Sequence, residues 1–250
     1  MGLINEFYIQ LYSVREELQR DFPGTLRKLG KIGYTGVEFA GYGGYSAKDL
    51  KKLLAENNLK PMGTHSRVEA LLEHLDEEIE YNQILGTEYI ILPHYGGVSD
   101  RDGILRMAEL FLPAAEKITK AGMKFAYHNH AWEFAKYNGE YLLDIFYANT
   151  DPEIVLAELD LYWIAYAGAD PLEYMKKYAN RAKLLHIKQI KDYESKKCVD
   201  LNEGVIDFSE IIKTGKRSGV EYYILEQEEF EIDPFISVKN GIDFILGLED

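Results

Sequence analysis

Four times along this chain a helix-like stretch stops at a glycine, and a short β-branched or aromatic run follows within a few residues. Ile32-Gly33 leads to Val37-Glu38-Phe39, and Leu85-Gly86 leads to Tyr89-Ile90-Ile91-Leu92. Ala121-Gly122 leads to Phe125-Ala126-Tyr127, and Ser218-Gly219 leads to Tyr222-Tyr223-Ile224-Leu225. Glycine just past a helix accepts the left-handed backbone that ends it, and the residues that follow favour strand. Further strands are expected over Ile9–Tyr12, Leu59–Thr64, Ile154–Leu159 and Lys183–Lys188, with amphipathic helices such as Ala47–Asn57 and Ala70–Leu85 between strands. Eight strand–helix pairs of about thirty residues each predict an α/β fold, a single (β/α)8 TIM barrel. An open doubly wound sheet is the competing architecture, but it calls for a glycine-rich phosphate turn after the first strand. Gln10-Leu11-Tyr12-Ser13 supplies none. Gly41-Tyr42-Gly43-Gly44 lacks the lysine and the serine or threonine of a nucleotide loop, so it reads as a mobile loop over the site. No low-complexity linker divides the chain, and residues 1–250 are expected to form one barrel domain.

Barrels of this kind carry their active sites at the carboxyl ends of the strands, so the polar groups there are the informative ones. Gln10 lies in the first expected strand, Glu38 ends the second, and His65 and His94 follow the third and fourth. His128, Asn129, His130 and Glu133 follow the fifth, and Glu158 and Asp160 end the sixth. His186 and Lys188 lie in the seventh, and Glu226 and Glu228 end the eighth. Five of the six histidines fall at these ends, which leaves only His74 on an expected helix, as a solvated residue. A single aspartate or glutamate at a strand end is more often a helix cap or a solvated group. Carboxylates and imidazoles gathered from separate strands instead suit a divalent cation held by oxygen and nitrogen.

Several segments carry a resemblance across nearly the whole length. They are Ile9-Gln10-Leu11-Tyr12-Ser13-Val14-Arg15, Gly33-Tyr34-Thr35-Gly36-Val37-Glu38-Phe39, and Tyr127-His128-Asn129-His130 with Trp132-Glu133-Phe134. Leu159-Asp160-Leu161-Tyr162-Trp163 with Gly168-Ala169-Asp170-Pro171, and His186-Ile187-Lys188, complete the set. The chain resembles the xylose isomerase-like TIM barrel family, described as sugar phosphate isomerases/epimerases and grouped with family-2 apurinic endonucleases. The resemblance implies one divalent ion, manganese first, with magnesium, zinc or cobalt as alternatives, held by Glu133, Asp160, His186 and Glu226.

This sequence departs from the keto-sugar epimerases of the family at three places. Their fifth-strand glutamate lies inside the strand, where this chain has Phe125-Ala126-Tyr127-His128. Glu133 must then enter from the loop beyond, and a histidine of the His128–His130 motif competes for the position. Trp163 stands where the epimerases carry a histidine, and Lys188 and Lys191 stand in place of an arginine after the seventh-strand histidine. The implied reaction is isomerisation or epimerisation of a keto-sugar or polyol ketone through an enediolate, with Glu133 and Glu226 as base and acid as well as ligands. A dehydratase or lyase, inosose dehydratase-like or eliminating from a keto-glycoside, is the alternative on the same scaffold. A non-catalytic sugar-binding barrel is the alternative from another class. Substrate contacts are expected from Glu38, His65, His94, His128, His130, Lys188 and Glu228, with Tyr12, Tyr42, Tyr45 and Trp163 available to stack on a sugar.

Charge narrows the partners. Acidic residues number 42 against 28 basic, a formal net charge of −14. That field repels a phosphate backbone, so nucleic acid is not expected, whereas a small carbohydrate is. No apolar run reaches the roughly 18 residues of a membrane span, and Met1–Tyr12 does not read as an export signal. Cys198 is the only cysteine, which excludes an internal disulfide. A cytoplasmic enzyme is the expectation, with a homodimer as a candidate assembly.

Overall fold

In the computed structural model, which describes residues 2–249, the first and last strands of the barrel lie side by side. Strand β1 (Tyr8–Gln10) pairs in parallel with β2 (Gly36–Phe39) and with β8 (Tyr222–Leu225). Between them run β3 (Lys60–His65), β4 (Tyr89–Leu92), β5 (Lys124–His128), β6 (Val155–Asp160) and β7 (Ala182–Ile187), each parallel to its neighbours. The closed eight-stranded barrel expected from the repeat is therefore the observed one.

The helix stops work as the glycines predict. Gly33, Gly86 and Gly219 each take a left-handed conformation at a helix end, with φ of 112°, 95° and 80°. Two expectations need correction. The strand over Ile9–Tyr12 ends at Gln10, because the Gln10 side chain accepts from the Tyr12 amide and turns Leu11–Val14 into a 3-10 helix. The single helix over Ala70–Leu85 is two, Val68–Glu73 and Leu75–Leu85, broken at His74. His74 is exposed, as expected, but it sits at the break.

Alternation along the strands decides what the barrel encloses. Tyr8, Met62, Tyr89, Ile91, Ala126, Leu156, Leu184 and Ile224 form one apolar cluster inside the lower barrel. Moving two residues toward the carboxyl end from Tyr8, Ala126, Leu156, Leu184 and Ile224 gives Gln10, His128, Glu158, His186 and Glu226. The same inward face is thus apolar below and ionisable above. Leu92, Tyr127, Leu159, Ile187 and Leu225, of the other parity, belong to the larger core between strands and helices.

Candidate active site

Strand register sets the ligand-type groups against one another. His128 on β5 is level with Glu158 on β6, and Asp160 is level with His186 on β7. Gln10 on β1 is level with Glu38 on β2. All are buried, and two quartets of converging atoms result: His128, Asp160, His186 and Glu226 toward the cleft, and His65, His128, Glu158 and His186 beside them. In each quartet the ligand atoms lie within 4.8 Å of one another.

The two imidazoles common to both quartets present one nitrogen to each. His186 Nδ1 lies 2.8 Å from Glu226 Oε2 and 3.8 Å from Asp160 Oδ2, while its Nε2 lies 2.8 Å from Glu38 Oε2. His128 Nε2 lies 4.0 Å from Asp160 Oδ2, and its Nδ1 lies 3.2 Å from Glu158 Oε2. One nitrogen of each ring thus faces the Asp160–Glu226 side; the other lies toward a carboxylate, hydrogen-bonded to Glu38 in His186 and near Glu158 without a bond in His128. A carboxylate behind a ligating histidine fixes the tautomer in this way. Gln10 Nε2 donates to Glu38 Oε2 at 2.6 Å and holds that carboxylate in place.

The electrostatics follow from burial and close pairing. Burial opposes ionisation of Glu38, but His65 and His186 outweigh it and hold its carboxyl well below the usual range. Burial likewise works against a charged His65, yet Glu38 and Glu158 lift it to about 10. Burial raises Asp160 to about 7 against the pull of Lys188. Burial would also raise Glu226, but Lys188 and His186 hold it far below. His130 is pushed down to about 3 by burial, His94 and other neighbours, so its imidazole is neutral. Asp160 Oδ2, Glu158 Oε1, Glu38 Oε1 and His128 Nδ1 are buried without a hydrogen-bond partner. Orphaned buried oxygens beside two imidazoles fit a divalent cation, since an unpaired buried polar atom is costly.

Glu133 does not join the cluster. It lies on the 3-10 turn Trp132–Phe134, where Oε1 accepts from the Tyr127 hydroxyl at 2.5 Å and both oxygens accept from the His130 amide at 3.0 Å. The carboxylate is spent on shaping the loop after β5, and His128 is the fifth-strand side chain that lies in the converging quartet. Lys188 is corrected as well. Its ammonium is buried, paired with Glu228 and 4.9 Å from the Tyr162 and Trp163 ring centres. It balances Glu226 rather than facing the cleft. Glu38 is buried beneath His186 and is not among the residues that line the cleft. His65, His94, His128, His130, Glu226 and Glu228 do line the cleft. Glu158 and Gln10 had no assigned role, although Glu158 stands two residues before Asp160 and so shares its inward face.

A family model for the xylose isomerase-like TIM barrel matches residues 26–246. An inosose dehydratase of Clostridium perfringens (strain 13 / Type A) is 33% identical over 143 residues, 50% of this chain and 46% of that protein. Another inosose dehydratase, of Bacillus cereus (strain AH820), is 24% identical over 229 residues, 79% of this chain and 72% of that protein. This chain spans about half the length of the first of these relatives. The solved structure of a sugar phosphate isomerase/epimerase from Parabacteroides distasonis ATCC 8503 is similar with a TM-score of 0.85 at 28% identity, covering 98% of this chain and 99% of that one.

Proposed function

Because the chain belongs to the xylose isomerase-like TIM barrel family, we propose that it is a divalent-metal-dependent enzyme that removes a proton next to the carbonyl of a sugar or polyol ketone. The observation that carries this reading is the convergence of His128, Asp160, His186 and Glu226 at the floor of an open cleft. These four would hold the ion, which when bound supplies Lewis-acid polarisation of substrate oxygens. Manganese, magnesium, zinc and cobalt all suit a mixed nitrogen and oxygen set.

His130 is the proton carrier in this reading. Its ring faces the cleft beside Trp163, 5.4 Å between ring centres, and its Nδ1 has no hydrogen-bond partner, which leaves a ring nitrogen free to take a proton. Taking the proton from carbon leaves an enediolate and an imidazolium. Return of that proton to the neighbouring carbon gives isomerisation. Its delivery to the β-hydroxyl, with cleavage of that C–O bond, releases water and gives an unsaturated ketone. Glu133 cannot act as a second carboxylate across the substrate, because Tyr127 and the His130 amide occupy it. That withdrawal favours elimination or isomerisation over epimerisation by two facing carboxylates. The two inosose dehydratase relatives support the elimination branch, and the isomerase/epimerase neighbour supports the other.

The test is proton exchange. Keto-sugars and an inosose are incubated in deuterated water with the zinc- or manganese-loaded protein. Deuterium at the carbon beside the carbonyl is expected, at a rate reduced about 10²–10⁴-fold by His130→Gln. A dehydrated product identifies the dehydratase, and a rearranged sugar identifies the isomerase. Full exchange by the His130→Gln protein would remove His130 from its role. Absence of exchange with every substrate would leave a sugar-binding barrel.

A further inference from the structure

The cleft above the ligand groups has a volume of about 1280 Å³. Pockets that enclose a drug-sized ligand measure about 300–1,000 Å³, and a single sugar ring is smaller than such a ligand. The excess space runs away from the cluster toward the first strand–helix connection, where its wall is aromatic. Tyr12 is 44% exposed there, and Phe22 packs on Tyr45 with ring centres 5.2 Å apart. The loop after β2 contributes a bare surface. Gly41 and Gly44 adopt φ of +99° and +80°, and a Cβ on either would touch nothing within 4 Å. Gly43 must stay small, because a Cβ there would lie 2.5 Å from the Phe22 ring.

Charge on this wall argues against a phosphate. Glu69, Glu77, Glu78, Glu226 and Glu228 face the cleft, against Arg15 and Arg67. Arg15 is already engaged: its guanidinium carbon sits 4.4 Å from the Tyr12 ring centre, and its nitrogens donate to the Tyr12 and Glu228 carbonyls at 3.0 and 3.4 Å. Lys188 is paired with Glu228. A phosphorylated substrate would thus meet one exposed arginine among five carboxylates, within a molecule of net charge −14. An uncharged ring loses nothing in that field and gains by stacking on tyrosine and phenylalanine.

We propose that the substrate is a glycoside whose reacting sugar carries the ketone, with that sugar at the ligand groups and an uncharged aromatic or glycosyl substituent along the wall of Tyr12, Phe22 and Tyr45; simple glycosides report binding of the substituent alone. This deepens the reading above and rests on it. The experiment titrates the zinc-loaded protein, by ligand-observed NMR at low ionic strength, with glucose, glucose 6-phosphate, phenyl β-glucoside and cellobiose. Phenyl glucoside and cellobiose are expected to bind at least about tenfold tighter than glucose, about 1.4 kcal/mol, with glucose 6-phosphate no tighter than glucose. Gln19→Trp, which builds an indole into the outer cleft from an exposed helical position, should erase that advantage without changing bound zinc. Tyr12→Ala should reduce the advantage for phenyl glucoside most. Equal binding of glucose and the glycosides, or a preference for the phosphate, would overturn the proposal. If zinc binds and a keto-sugar exchanges its proton while the ranking is flat, the glycoside inference alone falls. If neither zinc nor any sugar binds, the underlying function falls with it.

Discussion

Asp160 and His186 face each other across β6 and β7, and both are fully buried. Replacing both with alanine removes two of the four groups proposed to hold the ion, so bound zinc measured by mass spectrometry should fall from near one per chain to background. Glu38→Gln tests the second layer, because the amide no longer accepts the His186 proton as a charged partner. Metal affinity is expected to drop about 10–100-fold, with the circular dichroism spectrum unchanged. Glu133 gives a pH signature. Burial raises its carboxyl to about 7, against hydrogen bonds from Tyr127 and the His130 amide. Between the usual glutamate value and that pH the folded chain keeps a proton the unfolded chain has lost. The associated stability is therefore complete at the lower end and disappears as pH rises, by at most about 3 kcal/mol. Denaturation midpoints at pH 5 and pH 8 should fall less steeply for Glu133→Gln than for the native chain. The convergence of Asp160, His186 and Glu226 was legible from strand-end position and family resemblance, whereas Glu158 was not assigned. Inward parity becomes visible only once Leu156 is known to fill the barrel floor. The choice of His128 over Glu133 rested on which residues the loop bends back upon itself, and sequence spacing does not encode that.

At the scale of elements, the glycine stops marked helix ends well because a positive φ is a local demand. The break at His74 was not legible. The apolar pattern runs on through Leu71, Leu75 and Ile79, and no glycine or proline interrupts it. Strand pairing makes a different glycine indispensable. Gly36 is paired with Tyr8 on β1 and Lys60 on β3, and a Cβ there would collide with the Lys60 carbonyl and lie 2.8 Å from the Tyr8 ring. Gly36→Ala is expected to cost about 1–3 kcal/mol, read as a lower midpoint in urea with bound zinc retained after refolding. Leu11 and Tyr12 favour strand, so propensity alone extends the first strand to Tyr12. The Gln10 side chain overrides that propensity by capping the turn.

For the molecule as a whole, the barrel and its eight strands were readable from the repeat, while the size and sign of the cleft were not. Cleft volume depends on side chains from Tyr12, Phe22 and Tyr45, which are separated in sequence and meet only after closure. Net charge carries an expectation of its own. Duplex DNA should not be retarded by the protein even at low salt, as a mobility-shift assay would show. No helix among the described residues is long and apolar enough to cross a membrane. The seam where β1 meets β8 has a thermodynamic consequence. Glu226 directly follows the strand that shuts the barrel, so a chain lacking that strand has only part of the set proposed to hold a cation. With an ion held by that set, binding and ring closure would be one linked equilibrium. Each tenfold rise in free zinc above its dissociation constant should add about 1.4 kcal/mol to the closed state, making the ion a fastener for the last joint of the ring.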